Sequence, residues 1–423
     1  MRVLRLFLNV LFSPLLWLVY ALSFVVPRSS RIWVFGSYKN SFNDNSKYMF
    51  LETSVNDPEI FAVWITGNDE VIDDIRTRGF RVCRRFSFMG VWYALRAQVY
   101  VYSAYLSDIN FWFSGGAAKI NLWHGVPLKK IAYDIDAGPR KQRHHGNILR
   151  RLPYLILTPY FFSKPTYVLS PSTYLEKILV SALGMHAARI LCAKYPRIDM
   201  LTLEEAPPGT YSNVLNNERE RATAMAPISF GEPNTKYLLY APTWRDNSRN
   251  FIAETPIDWR RLDGRLAEID AKLLIKLHPN SSCDADFFAG YANMYLLDNN
   301  VDIYPLLPRF DCLITDYSSI YFDFLFLDKD IIFFPYDMDS YVTSGRSMYA
   351  DYFEITPGRK VFDSEGLLDA ISECAGHRDA DMRIRIRNMV WGDTTMSARN
   401  QLKILMKHWP KKIAARIDGL IDM

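Results

Sequence analysis

From Arg31 onward, short apolar runs alternate with stretches of helical character. RIWVFG, FAVWITG, QVYVYSA and KINLWH read as strands, with helical patterns near residues 46–56 and 88–97. Near-continuous apolar strands separated by helices predict a parallel sheet covered on both faces. YVLS and ARILCAKYP carry the series to Pro196. The chain then turns polar and rich in Pro, Gly and Asn through LEEAPPGTYSNVLNNERERATAMAPISFGEPNTK, the segment expected between domains. A second series follows in KYLLYAP, AKLLIKLHP, MYLLD, FDCLITD and DIIFFPYD. Two consecutive doubly wound units predict an α/β fold of two Rossmann-like lobes with parallel sheets facing a cleft. The expected divisions are an N-terminal hydrophobic helix (1–30), a first lobe (31–200), an interdomain segment (201–235), a second lobe (236–390) and C-terminal helices packing back on the first lobe (391–423).

The N-terminal helix rests on a different pattern. Leu6 to Val26 carries no charge, and as a helix it would reach about 31 Å, enough to cross a bilayer core. Membrane association is expected. VVPRSS offers no small-x-small cleavage site, which argues against a removed signal peptide. Arginines flank both ends (Arg2, Arg5, Arg28, Arg31), so charge does not choose an orientation, and Pro14 allows a kinked, shallow anchor in place of a span.

Composition narrows the class. With 423 residues, 49% of them hydrophobic, the chain can bury large cores. Its net charge of +4 is too small over this length to imply nucleic-acid wrapping. The positive charge is uneven, because Arg140, Lys141, Arg143, His144, His145, Arg150 and Arg151 fall together ahead of LPYLILTPYFF. That run suits a second contact with anionic headgroups, or equally a solvated loop before a buried helix. Five scattered cysteines without a CxxC suggest neither zinc nor a disulfide framework, and a cytosol-facing location fits them. No metal and no tightly bound cofactor is expected.

In open α/β sheets, ligands sit outside the carboxyl ends of the strands. Those ends are unusually polar here. His124 follows KINLW and precedes Gly125; Thr243, Trp244, Arg245 and Asp246 follow KYLLYAP; His278 follows LLIKL; Asp316, Ser318 and Ser319 follow CLIT. A helix start at Ser318 and Ser319 offers N–H groups and hydroxyls to a phosphate. Arg245 offers a bidentate, permanently charged contact to the same anion. His124 is placed to take a proton from an attacking hydroxyl, and His278 to donate to a phosphate oxygen. Asp316 suits orienting a histidine or holding the loop. These types also have plain structural uses: Asp316 or Ser318 as a helix cap, and Arg197 with Asp199 as a loop ion pair of little worth. Their combination points to an enzyme that moves a phosphate-bearing group from a nucleotide donor.

NLWHGVPLKKI, YAPTWRD, KLHP, TDYSSIYFDF and PYDMDSY, in this order, resemble the CDP-glycerol glycerophosphotransferase family, whose members prime or polymerise teichoic-acid-like chains. The resemblance covers roughly residues 118–400. It implies a GT-B-like fold, a CDP-alcohol donor in the second lobe, and a lipid-linked or polymeric hydroxyl acceptor reaching the first lobe at the cytoplasmic face of the cell membrane. It also implies that His124 is the base and that His278 contacts the donor phosphates. Three blocks depart from the family pattern. Lys194-Tyr195-Pro196-Arg197-Ile198-Asp199 lacks a glycine and an asparagine, the Asp393–Arg399 stretch has threonine for glycine, and Arg346-Ser347-Met348-Tyr349 replaces Arg-Gly-Phe-Tyr. Arg197, Asp199, Ser397 and Arg399 are therefore candidate site residues, and ribitol stays open beside glycerol. A GT-B glycosyltransferase using a nucleotide sugar is the alternative activity.

Overall fold

The structure, a computed structural model, describes residues 2–407 except 138–140, 142–143, 204–207, 246–250, 279–280, 282, 344–346, 375–378 and 393–395. Among the described residues the strands form two sheets, parallel throughout. The first contains β1 (Ser29–Gly36), β2 (Phe61–Thr66), β3 (Val82–Arg84), β4 (Ala97–Tyr102), β5 (Ala118–Asn121), β6 (Tyr167–Ser170) and β7 (Ile190–Cys192), in the order β3-β2-β1-β4-β5-β6-β7. The second contains β8 (Lys236–Ala241), β9 (Ala271–Lys276), β10 (Met294–Leu297), β11 (Cys312–Thr315), β12 (Asp330–Phe333) and β13 (Arg359–Lys360), in the order β10-β9-β8-β11-β12-β13.

Burial follows from the apolar runs. Trp33, Val34 and Phe35 are all buried, as are Leu313, Ile314 and Thr315. Successive side chains of a strand point to opposite faces, so both faces of each sheet are covered. In each sheet the strand order reverses once, between β1 and β4 and between β8 and β11. In register, Gly36 pairs with Tyr102, and Thr315 pairs with Ala241. Gly36 permits a close approach there, since a Cβ on it would lie 2.8 Å from the carbonyl oxygen of Asp108. These two reversals are where a doubly wound sheet opens a crevice for ligand.

The chain divides into two compact units. One comprises the residues through His124, those from 142 to Arg197, and those from Trp391; the other comprises Gly125–Lys141 and Ile198–Val390. This differs from the expected divisions in two places. Residues 125–141 belong to the second unit, and so does the polar stretch 201–235, which carries the helix Thr210–Ala224. The helix forms on few apolar positions: Leu215 and Ala222 are buried with Glu218 between them, a sparse stripe that composition hides.

The N-terminal helix runs Arg2–Ser23 with Pro14 inside it. Among the described residues, no helix is long and apolar enough to cross a membrane. The later part of this helix packs on the first unit. Tyr20 stacks on Phe111 with ring centres 4.6 Å apart, Trp17 Nε1 donates to the carbonyl of Ile156, and Ser23 Oγ accepts the N–H of Gly115. Arg28 fastens the exit from the helix by donating to the carbonyls of Ala94, Ala97 and Phe113. Leu15, Leu18 and Leu22 point outward and stay more than half exposed.

Candidate active site

In the first unit, β5 ends at Asn121 and the backbone turns sharply. Trp123 has φ 59°, a conformation a bulky residue adopts only when its surroundings impose it. Asn121 Oδ1 accepts the Trp123 N–H at 2.8 Å, and Asn45 Nδ2 donates to the Trp123 carbonyl at 3.0 Å. The kink presents His124 at the surface, with Nδ1 3.0 Å from the carbonyl oxygen of Ser103, just past β4. A carbonyl can only accept, so Nδ1 is the donor in this contact and Nε2 is the ring nitrogen left for proton exchange. Ser103 is fixed in turn by Ser46, whose N–H donates to its hydroxyl at 3.0 Å. The arrangement fixes the ring through Nδ1 and leaves Nε2 outside this contact, the orientation a general base requires.

Arg197 joins the same cluster. Its N–H donates to Asn45 Oδ1 at 3.3 Å and its Nη1 lies 2.7 Å from Asp44. The side chain is 3% exposed, so this is a buried tie to the start of the helix Asp44–Asn56. Asp199 lies in the single turn Pro196–Met200. Asn45 thus brings the His124 turn and Arg197 together, and it was not among the candidates. Its signal was weak: one asparagine in a polar stretch after β1.

Ser397 and Arg399 pack on the other end of that helix. Ser397 Oγ donates to Glu52 at 3.3 Å, and Arg399 Nη1 pairs with Asp57 at 2.9 Å. Both act as ties between the C-terminal helix Ala398–Lys407 and the first sheet's helix layer, apart from the histidine turn.

In the second unit the residues after β8, β11 and β12 converge. Arg245 Nη2 lies 2.8 Å from Asp316 Oδ2, and its Nε lies 2.7 Å from Asp337 Oδ2. Its Nη1 donates to the Thr243 carbonyl. The expected bidentate grip of Arg245 on a donor anion is therefore not the geometry found, because the guanidinium edges are taken by protein oxygens and the side chain is buried. Burial alone would lower the Arg245 pKa, but the Asp316 and Asp337 carboxylates outweigh it and raise it. Asp316 holds the loop, not a histidine: its Oδ1 accepts the N–H groups of Thr243 at 2.8 Å and Tyr317 at 2.6 Å. Tyr317 donates its hydroxyl to Asp337 at 3.1 Å, and burial followed by the Asp337 and Asp316 charges pushes its pKa up, so it stays protonated.

The ordered loop carries the anion-binding candidates. Thr243 Oγ1 is buried and has no hydrogen-bond partner among the described residues. His278 stacks on Trp244 with ring centres 5.9 Å apart and an interplanar angle of 23°. Ser318 and Ser319 follow Asp316, and Ser319 precedes the short helix Ile320–Phe324 without using its hydroxyl as a cap. Thr243, Arg245, Asp316 and His278 are thus gathered on neighbouring strand ends. Asp337 was missed, although DIIFFPYD ends a strand in a carboxylate like the others. Asp246, Pro279, Arg140, Arg143, Arg346 and Asp393–Thr395 lie outside the described residues. Among the described residues no group of three or more His, Cys, Asp or Glu is arranged to hold a metal ion. All five cysteines are free.

Comparison with known proteins agrees with this reading of the fold and of the chemistry. The chain is 26% identical over 386 residues to a teichoic acid poly(glycerol phosphate) polymerase of Bacillus spizizenii, covering 87% of this chain and 90% of that protein. It is 39% identical over 137 residues to a teichoic acid glycerol-phosphate primase of Bacillus subtilis, covering 32% of this chain and 35% of the primase. It spans 36% and 44% of the length of two further poly(glycerol phosphate) polymerases. The solved wall teichoic acid polymerase TagF, as a histidine-to-alanine variant, superposes with a TM-score of 0.74 at 22% identity, over 97% of this chain and 99% of that one, and so shares the fold. Residues 18–391 match the family described as CDP-Glycerol:Poly(glycerophosphate) glycerophosphotransferase, and the chain belongs to that family.

Proposed function

We propose that the protein transfers glycerol phosphate from CDP-glycerol to a hydroxyl of a membrane-associated or polymeric acceptor, releasing CMP, in the synthesis of a teichoic-acid-like or capsular surface polymer. The observation that carries the catalytic assignment is the Ser103 carbonyl on Nδ1 of His124, which leaves Nε2 as the ring nitrogen that can face the acceptor. The acceptor oxygen attacks the glycerol-bearing β-phosphorus, its proton passes to His124 Nε2, and the bond to the CMP oxygen breaks. Positioning and charge stabilisation suffice for this displacement, with no covalent enzyme intermediate. His278, Ser318, Ser319 and Thr243 Oγ1 serve the donor diphosphate, and Arg245 with Asp316 and Asp337 holds the loop that presents them.

The donor alcohol and the reaction class are tested together. Purified protein is incubated separately with CDP-glycerol, CDP-ribitol and UDP-sugars, and release of CMP or UDP is followed. CMP release with CDP-glycerol supports the reading, release with CDP-ribitol alone reassigns the alcohol, and UDP release moves the protein to the glycosyltransferases.

The membrane assignment is part of the same proposal. Leu15, Leu18 and Leu22 on the N-terminal helix, Phe86 and Phe88 before and at the start of the helix Phe88–Arg96, and Ile148 and Leu149 are exposed apolar residues of the first unit. With Arg150 beside the last pair, they suit an in-plane attachment to an anionic bilayer at the cytoplasmic face, where a lipid-linked acceptor is presented. Flotation with anionic vesicles tests this: aspartate at Leu18 and Leu149 should abolish co-flotation, and retained binding by that double variant would remove these residues from the contact.

A further inference from the structure

The chain crosses from the first unit to the second between His124 and Gly125. The residues immediately past the crossing are pinned within the second unit. Lys130 donates its N–H to Ser347 at 2.8 Å, and Tyr349 donates its own to Leu128 at 2.9 Å. These bonds form an antiparallel bridge between Lys129 and Met348. The Tyr349 hydroxyl donates to Asp134 at 2.8 Å and accepts the N–H of Ile131 at 3.2 Å.

From this strap a run of direct contacts leads to the carboxylate-clamped arginine. Lys129 Nζ sits 3.1 Å from the centre of the Tyr341 ring and donates to the Tyr341 carbonyl at 3.1 Å. Tyr341 stacks on Tyr317 at 3.7 Å with an interplanar angle of 7°. Tyr317 donates to Asp337, which holds Arg245 against Asp316. A close-packed stack of this kind shifts as a unit when one end moves, because interiors have little free volume. Gly125, one residue past the candidate base, thus begins a strap that is fixed to the loop carrying the donor-binding candidates.

We infer that Lys129 and Tyr349 are positioning residues of the transfer reaction: through the strap of residues 125–136 they make the placement of His124 depend on the donor loop, so that bound donor sets the base. The inference rests on the reading of His124 as base and of the strand-end loops at Thr243–Arg245 and Asp316–Ser319 as donor site. Coupling of this sort is reciprocal, so donor binding must in turn steady the strap. A strap that only anchors a crossing segment would lack that response.

The test uses the full chain and CDP-glycerol. Lys129→Met keeps the aliphatic stem and loses the charge, while Tyr349→Phe keeps the ring and loses two hydrogen bonds. Each should lower kcat by about 10- to 100-fold, the cost of a small misplacement of a reacting group. The Kd for CDP-glycerol should stay within about threefold, since the loss falls on the transition state. Lys129→Arg, which keeps a cation over the ring, should recover most of the rate. In the wild type, CDP-glycerol should slow hydrogen exchange at the amides of residues 122–131, and in Lys129→Met that protection should vanish while donor still binds.

Unchanged kcat in both variants, or donor-dependent protection that survives in both, overturns the inference. Loss of CDP-glycerol binding in both variants overturns it too, by moving the strap into the donor site. His124→Ala, measured alongside, separates the failures. Retained turnover there removes His124 as base, whereas abolished turnover beside wild-type rates in the strap variants sinks the strap alone.

Discussion

Nη2 of Arg245 lies 2.8 Å from Oδ2 of Asp316, and the two side chains are 7% and 2% exposed. A pair so placed is held by desolvated charges that have no water to turn to, and Asp337 occupies the other edge of the same guanidinium. Arg245→Met would leave two carboxylates in a buried site without their cation. The expected loss is about 3–5 kcal/mol, the usual result of removing one member of a buried ion pair. Denaturant unfolding monitored in the second unit measures it, and CDP-glycerol affinity should fall together with stability. Asp337→Asn should cost less, because Arg245 keeps Asp316. Wild-type stability in Arg245→Met would mean that the carboxylates are satisfied by other groups.

Asn45 supports a second prediction. It is fully buried and bonds the Trp123 carbonyl with one end and the Arg197 N–H with the other. Asn45→Ala leaves both backbone groups short of a partner, worth about 1–3 kcal/mol of stability. It also removes a restraint on the positive-φ turn at Trp123, so turnover should fall further than stability alone explains. Turnover measured well below the melting temperature, where the variant is fully folded, checks this. A wild-type rate there would show that the His124 turn holds its shape without Asn45.

The strands were legible in the sequence because of the physics of buried parallel sheets. Runs such as KYLLYA and CLIT have to be apolar on both faces, so each strand and its polar end stand out without any partner being known. The clustering of Thr243, Arg245, Asp316 and His278 then follows from strand ends lying side by side. Arg245's role was not legible, because the charge of an arginine does not reveal whether its counter-ions belong to a ligand or to the chain. Asp337 decides that, and it comes from a strand end 92 residues along. The crossing at His124–Gly125 was hidden for a similar reason. VPLKKIAYD differs little in pattern from the first unit's loops, and it is contacts such as the pairing of Leu128 and Lys130 with Tyr349 and Ser347 that tie it to the second.

Asp108 gives a pH-dependent prediction. It is buried beside the end of β4, with Oδ2 accepting the N–H groups of Tyr105 at 2.9 Å and Ala104 at 3.3 Å. Burial pushes its pKa up to about 7, and the two amides and Arg85 offset only part of that. Below the ordinary value of 3.8 the folded and unfolded chains both hold the proton. Between that value and about 7 the unfolded chain releases it while the folded chain keeps it, so the unfolding free energy falls as pH rises and levels off above the folded pKa. Asp108→Asn cannot titrate and should lack this component. The stability difference, wild type minus variant, should decline from pH 4 to pH 8, roughly the window between the two pKa values. A difference that grows with pH would show the carboxylate to be ionised in the folded protein.

The two histidines should separate in a pair of measurements. His124 is held through Nδ1 on the Ser103 carbonyl in the first unit, and His278 stacks on Trp244 beside the Arg245 loop in the second. A general base acts on the acceptor proton, so His124→Ala should lower turnover by about 10²- to 10⁴-fold. Its CDP-glycerol affinity in calorimetry should stay close to that of the wild type. His278→Ala removes a group assigned to the donor diphosphate, and it should weaken donor binding and turnover together, since that contact is made before and during the displacement. Loss of donor affinity in His124→Ala would move His124 into the donor site, and unchanged turnover in His278→Ala would take His278 out of the mechanism.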